Sequence, residues 1–227
     1  MFSPQSASEE IQKEASAARW PFLEVHELLC RRGISVPELL GEDTHAGWLL
    51  LEDLGEATLA QVLARAPALR EALYVDAVRD LAVAQEALRD LPADSVVVRR
   101  AFDADLLRWE LDHFREWALD ARGKSLSASQ RRTFDEIADR IARTIAGWPR
   151  TFVHRDYQSR NLMVREPARR ASPSAGAAGA TGEPRAPREA FRTLVWIDFQ
   201  DALLGPRVYD LVALLNDSYQ TFTRGFV

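Results

Sequence analysis

Apolar residues recur three and four positions apart over much of this chain. Over residues 19–32, Phe22, Val25, Leu28 and Leu29 form one face, a spacing that predicts a helix. Pro21 suits its first turn, and Gly33 can close its end. Further helices are predicted over 57–65, 69–89, 102–121, 127–147 and 208–219. The second of these carries Leu73, Ala77, Leu81, Ala84 and Leu88 at helical spacing, read as a core stripe. Two short apolar runs, 36–40 and 47–51, are parted by the polar stretch 41–46 and predict two strands and a turn. From Thr151 the texture changes to short strands and loops, with apolar pieces at 152–153, 162–164 and 193–197. Residues 1–18 are polar, a loose lead or the start of a helix.

Composition changes this picture little. Of 227 residues, 47% are hydrophobic and 28% charged, ordinary for a globular protein with its own core. The net charge of -5 argues against a nucleic-acid partner, since phosphate backbones reward basic surfaces. No apolar run approaches the length that spans a bilayer, and the polar, acidic start is unlike a signal peptide. The expectation is a cytoplasmic protein with no membrane and no obligate protein partner. Cys30 is the sole cysteine, so an intrachain disulfide is impossible; it is expected to be a small buried apolar group. Residues 166–190 form an Ala/Pro/Gly/Arg tract with almost no large apolar side chain. Such a tract cannot bury enough surface to fold. It is expected to be a disordered insert at a hairpin tip, where insertions are tolerated.

The chemistry lies in FVHRDYQSRN, residues 152–161. His154 is followed by Asp156 and then Asn161, and a later apolar run ends in Ile197-Asp198-Phe199. This is the H-x-D-x-x-x-x-N … D order of kinase catalytic loops. Phosphoryl transfer asks a protein mainly for positioning and charge neutralisation. A carboxylate must orient the attacking hydroxyl and take its proton, which Asp156 can do. Magnesium prefers oxygen ligands, which Asn161 and Asp198 can supply if their strands pair in one hairpin. Each residue also has a plainer reading. His154 can simply brace the loop, and an isolated loop Asp is commonly a turn former.

FVHRDYQSRNLMV and WIDFQDALLGPRVYDLVALLND resemble the aminoglycoside-phosphotransferase/choline-kinase superfamily. Within it they look most like bacterial anomeric sugar kinases acting on N-acetylmuramate and N-acetylglucosamine. GISVP (33–37), LLLEDLG (49–55) and ELDHFREW (110–117) are similar to that group as well. The resemblance implies an α+β, protein-kinase-like, two-lobed fold. Residues 1–55 would be the remnant of an N-terminal nucleotide-binding lobe with its hinge, and 56–227 a mainly helical catalytic lobe. It implies ATP and Mg2+, with Asp156 as catalytic base, His154 beside it, and Asn161 and Asp198 as metal ligands. Glu52, Asp53 and Leu54 would be the hinge that meets adenine through its main chain. Asp210 would be a buried acceptor steadying the catalytic loop, besides being an acidic first-turn residue favoured by the helix dipole. Glu110, Glu116, Trp117 and Asp201 are acceptor-side candidates, although Trp117 equally suits a helix-packing stripe.

The chain also departs from that pattern. Gln158 stands where these sugar kinases usually carry His. Its two lysines, Lys13 and Lys124, fall outside the expected strands, and the first glycine is Gly33. A phosphate-covering glycine loop is therefore not evident, and truncation at both ends is expected. The sequence reading is an ATP-dependent kinase of a small hydroxylated substrate, first an N-acetylated amino sugar. A non-catalytic nucleotide- or partner-binding fragment and an aminoglycoside antibiotic phosphotransferase are its alternatives.

Overall fold

The computed structural model describes residues 20–165, 193–222 and 225; the 166–190 tract, Lys13 and the polar lead lie outside them. Among the described residues, helices are mixed with three two-stranded antiparallel sheets. Helix α1 (Pro21–Arg31) opens it with Pro21 in the first turn. Gly33 follows at φ +74°, a left-handed conformation that a Cβ would penalise. Leu23, Val25, His26, Leu28 and Leu29 are its buried face. Cys30 is exposed, which corrects the expectation of burial: it sits one position past the buried pair Leu28–Leu29 and turns to the outer face.

Strands β1 (Leu39–Asp43) and β2 (Trp48–Leu51) pair next. The first begins later than its apolar run and continues through Gly41, Glu42 and Asp43. Main-chain pairing to β2 decides its extent there, not side-chain hydrophobicity. Leu40, Trp48 and Leu50 remain exposed on this pair.

Helices α2 (Leu59–Arg65), α3 (Arg70–Ala87) and the short α4 (Val96–Arg99) follow. Helix α5 (Ala104–Phe114) comes next, then α6 (Ala128–Ala146). Hydroxyl or carboxylate caps start four of the five: Thr58, Ser95, Asp103, and Ser127 in a reciprocal box with Gln130. Each satisfies an amide that the helix start leaves orphaned. The predicted helix over 102–121 is α-helical only to Phe114; a π turn, Arg115–Leu119, takes over. Arg115 is buried there and pairs with Asp120 (2.5 Å), Glu116 (3.2 Å) and Asp112 (3.6 Å).

The last third builds the site. Strand β3 (Arg150–Val153) pairs with β6 (Leu203–Pro206), and β4 (Leu162–Arg165) with β5 (Thr193–Trp196). Residues 154–161 join β3 to β4, and residues 197–202 join β5 to β6. Two loops therefore cross side by side from one sheet to the other. Helix α7 (Tyr209–Leu215) closes the arrangement and is shorter than the 208–219 predicted.

The main core gathers Leu73, Ala77, Leu81, Ala84 and Leu88 with Phe152, Leu162, Trp196, Phe199 and Leu214. Burying each large side chain contributes about 1.5–3 kcal/mol. Two of its aromatics have their polar edges engaged. Tyr157 donates to the Ala77 carbonyl (2.9 Å), and the Trp196 indole to Asp80 (2.5 Å). The core thus ties the loop residue Tyr157 to α3. Among the described residues no helix is long and apolar enough to cross a membrane.

Candidate active site

The loop from His154 to Asn161 is held by its main chain. Asp210, fully buried in the first turn of α7, accepts from the N–H groups of His154 (2.7 Å) and Arg155 (3.1 Å). Arg155 stands at φ +77°, which turns the chain sharply and projects Asp156 outward. Such a conformation costs a non-glycine residue on the order of 1–2 kcal/mol. The Arg155 side chain pairs with Glu110 on α5 at 3.3 Å and lies 5.7 Å over the Phe102 ring.

His154 is completely buried, edge-on to Tyr157 and Trp196. Burial pushes its imidazole down to about 4, so the ring is neutral near pH 7. Its Nδ1 accepts from the Asp156 N–H at 3.3 Å, which leaves the ring proton on Nε2.

The loop then turns back on itself. Gln158 N–H donates to the Asp156 carbonyl (2.8 Å), and Asn161 N–H to the Gln158 carbonyl (2.9 Å). The Asn161 side-chain nitrogen donates to the Asp156 carbonyl at 2.9 Å and lies 3.5 Å from Asp198 Oδ2. Committing the amide nitrogen leaves the amide oxygen available as a ligand. Ile197 N–H donates to the Asn161 carbonyl (3.0 Å), stitching the two crossing loops together. Asp198 has φ +63° and accepts from the Gln200 side chain at 2.8 Å. The exposed Asp156 carboxyl is raised by partial burial and then by the charges of Asp198, Asp201 and Glu110, with Arg155 pulling it back. The negative charges of Asp198, Asp201 and Glu110 are thus felt at Asp156, and a cation near Asp198 would offset them. Asn161 and Asp198 fit magnesium, which keeps waters and borrows phosphate oxygens and so needs no closed protein cage. Among the described residues no cluster of three or more His, Cys, Asp or Glu groups is positioned to hold a metal.

The other predicted positions spread around this centre. Glu52 follows β2; its N–H donates to the Glu38 carbonyl (2.8 Å) and its carboxylate pairs with Arg165 of β4 (2.5 Å). Asp53 accepts from the Gly55 N–H at 2.8 Å, turning the chain. Among the described residues the Leu54 N–H has no main-chain partner. Glu110 reaches the loop through Arg155. Glu116 instead pairs with Arg115 in the π turn, away from those contacts. Trp117 is 64% exposed, so it is no helix-packing residue; its ring lies 5.8 Å from His113, which stacks on Trp109 at 4.9 Å.

Sequence reasoning missed Arg155, Gln200, Asp80 and Asp217. Asp217 is 2% exposed and accepts from the N–H groups of Ser159 (2.7 Å) and Tyr219 (2.8 Å). Its one sequence signal is its place in an apolar run, seven residues after Asp210.

The Asn161 amide thus lies between the Asp156 main-chain carbonyl and the Asp198 carboxylate, on two adjoining loops of a mixed helix-and-strand fold. Residues 2–171 match the phosphotransferase enzyme family known as APH, and the chain belongs to that family. It is similar to the N-acetylmuramate/N-acetylglucosamine kinase of Pseudomonas aeruginosa, at 34% identity over 200 residues, covering 88% of this chain and 49% of that protein. It is also similar to the kinases of the same name from Neisseria meningitidis serogroup B and Pseudomonas putida. Those are 30% and 28% identical, each over 91% of this chain and 53% and 52% of the relative. The chain spans about half the length of the curated relatives it matches.

Proposed function

We propose that this chain carries the catalytic segment of an ATP-dependent kinase that phosphorylates an N-acetylated amino sugar at a hydroxyl, the anomeric one first. The observation that carries this reading is the Asn161 side chain, which bonds the Asp156 main-chain carbonyl on its own loop and lies 3.5 Å from the Asp198 carboxylate on the other, 37 residues away in sequence. The names of the similar kinases support the sugar class.

In this reading Asp156 orients the acceptor hydroxyl and takes its proton as the oxygen attacks the γ-phosphorus and ADP leaves. Its raised carboxyl suits a base that must pick up a proton. Asn161 and Asp198 would hold magnesium, which would supply charge neutralisation at the phosphates when bound. His154, neutral and buried, props the Asp156 main chain. Residues 52–54 are the hinge, with the Leu54 N–H turned to adenine. Residues 1–55 then belong to a small nucleotide-binding lobe and 56–227 to the helical lobe. The exposed Leu40, Trp48 and Leu50 on the β1–β2 pair support a lobe that is incomplete as it stands. Glu110, Glu116, Trp117 and Asp201 are assigned to the acceptor side in this reading, Glu116 only on leaving its pairing with Arg115.

Two other readings are weighed against specific observations. A non-catalytic nucleotide- or partner-binding segment is one alternative, which Asp156-dependent phosphate transfer would overturn. A cationic aminoglycoside acceptor calls for free acid, yet Glu110, Asp112 and Glu116 are already paired with Arg155, Arg108 and Arg115.

The test is transfer of labelled γ-phosphate from Mg-ATP to N-acetylmuramate, N-acetylglucosamine and kanamycin. Labelling of an amino sugar is expected, and Asp156→Asn should lower it about 100- to 10,000-fold, the usual worth of a positioned base. Transfer to kanamycin alone would replace the substrate. Transfer undiminished in Asp156→Asn would remove the assigned base.

A further inference from the structure

Helix α7 is flanked by two buried aspartates. Asp210 lies in its first turn, and Asp217 two residues beyond its last. Both are essentially sealed from solvent, at 0% and 2% exposure. A carboxylate taken out of water is costly unless its oxygens are fully engaged. Among the described residues no cation pairs with Asp217. Its oxygens take the Ser159 and Tyr219 N–H groups instead. What those bonds provide is position.

The places they hold are informative. Asp210 fixes the main chain at 154 and 155, and Asp217 fixes it at 159. The two anchors bracket Asp156, and the second lies two residues before Asn161. The segment after α7 adds to the hold. Tyr219, whose N–H caps Asp217, accepts a hydrogen bond from Arg160 at 2.5 Å and lies 4.4 Å beneath its guanidinium. From the other side, the Ser159 carbonyl accepts from Ala60 of α2 at 2.9 Å.

We propose that Asp217 is a positioning residue of the catalytic loop, the partner of Asp210 in a two-point clamp that fixes Asp156 and Asn161 relative to each other. It acts through Ser159 and touches no reacting atom. Its effect on turnover rests on the kinase reading, while the clamp itself does not.

The test has two arms. In the unaltered protein, amide hydrogen exchange should find the Ser159 N–H protected as strongly as α3, although Asp156 and Arg160 of the same loop are exposed. In Asp217→Asn, which keeps the shape but turns an NH2 group toward one of the two donors, exchange across 157–161 should accelerate about 10- to 100-fold, the scale of a lost charged hydrogen bond. Exchange in α3 should stay as it was. In the phosphate-transfer assay kcat should fall by a similar factor with the sugar KM unchanged. A Ser159 amide that exchanges like an exposed one overturns the proposal. So does acceleration spread equally over loop and core, which would make Asp217 merely structural, or a loop freed in Asp217→Asn with turnover intact. Should the unaltered chain transfer no phosphate, the exchange arm still decides the clamp, and it is the kinase reading that fails.

Discussion

His154 and Asp210 are adjacent in the folded molecule and respond to pH in opposite directions. Burial raises the Asp210 carboxyl to about 7 from 3.8, with the two loop N–H groups pulling back. Its contribution to stability is therefore complete below pH 3.8 and lost as pH rises through about 7. Burial lowers His154 from 6.5 to about 4. Its contribution is complete above pH 6.5 and lost as pH falls through about 4. The two contributions therefore oppose each other across that window. Asp210→Asn should remove one slope and expose the other, giving a thermal midpoint that drops as pH falls from 6.5 to 4. A midpoint as flat as that of the unaltered protein would contradict this pairing.

At this scale the legible residues were those with a chemical signature. His154, Asp156, Asn161 and Asp198 are set by spacing, and their contacts do converge. Arg155 and Asp217 were not legible, because a left-handed φ and a buried acceptor leave no mark on composition. Gly205 was equally silent: a Cβ there would fall 2.8 Å from the Phe102 ring and 3.0 Å from Val153, a close approach that only the packed structure shows.

Among elements, the long amphipathic helices were visible from periodicity, and α3 and α6 fall within two residues of expectation. Strand β6 and helix α4 were missed. Each is four residues long and is defined by a partner rather than by its own pattern. The π turn after α5 was hidden for a related reason, since Arg115 and its three acids act through space. Helices α5 and α6 also depend on charge. Arg108 binds Asp112, Asp135 and Asp139 at 3.0, 2.6 and 2.5 Å, and the three carboxylates keep its guanidinium more firmly protonated than usual. A network of this kind outweighs an isolated surface pair. Arg108→Ala should destabilise the protein by about 1–3 kcal/mol. The loss should shrink in high salt, because partly exposed charges are screened. Denaturant melts at low and high ionic strength would show it, and a salt-independent loss would point to packing instead.

For the whole molecule, the sequence conveyed a mixed fold with its chemistry on two late loops. It could not convey that the strands form three separate pairs, since pairing depends on which edges meet. The pairing of β4 with β5 places Arg165 directly opposite Thr193. The 27 residues between them therefore join two points that a tight hairpin could join as well. Replacing 166–192 with Asn-Gly should preserve the secondary-structure signal and the site. It should also stabilise the protein by about 2 kcal/mol through a shorter closed loop. A lowered thermal midpoint would count against this.

The same register has a consequence for how the protein could be divided. The β4–β5 ladder pairs the residues on either side of that segment directly. Severed there, the chain becomes two interlocking pieces, one bearing Asp156 and Asn161, the other Asp198, Asp210 and Asp217. Neither piece has a complete set. Their reunion becomes a matter of mass action, since the tether no longer supplies its effective concentration. Expressed separately and mixed, the halves would form a reporter whose signal records whether two fused partners have met.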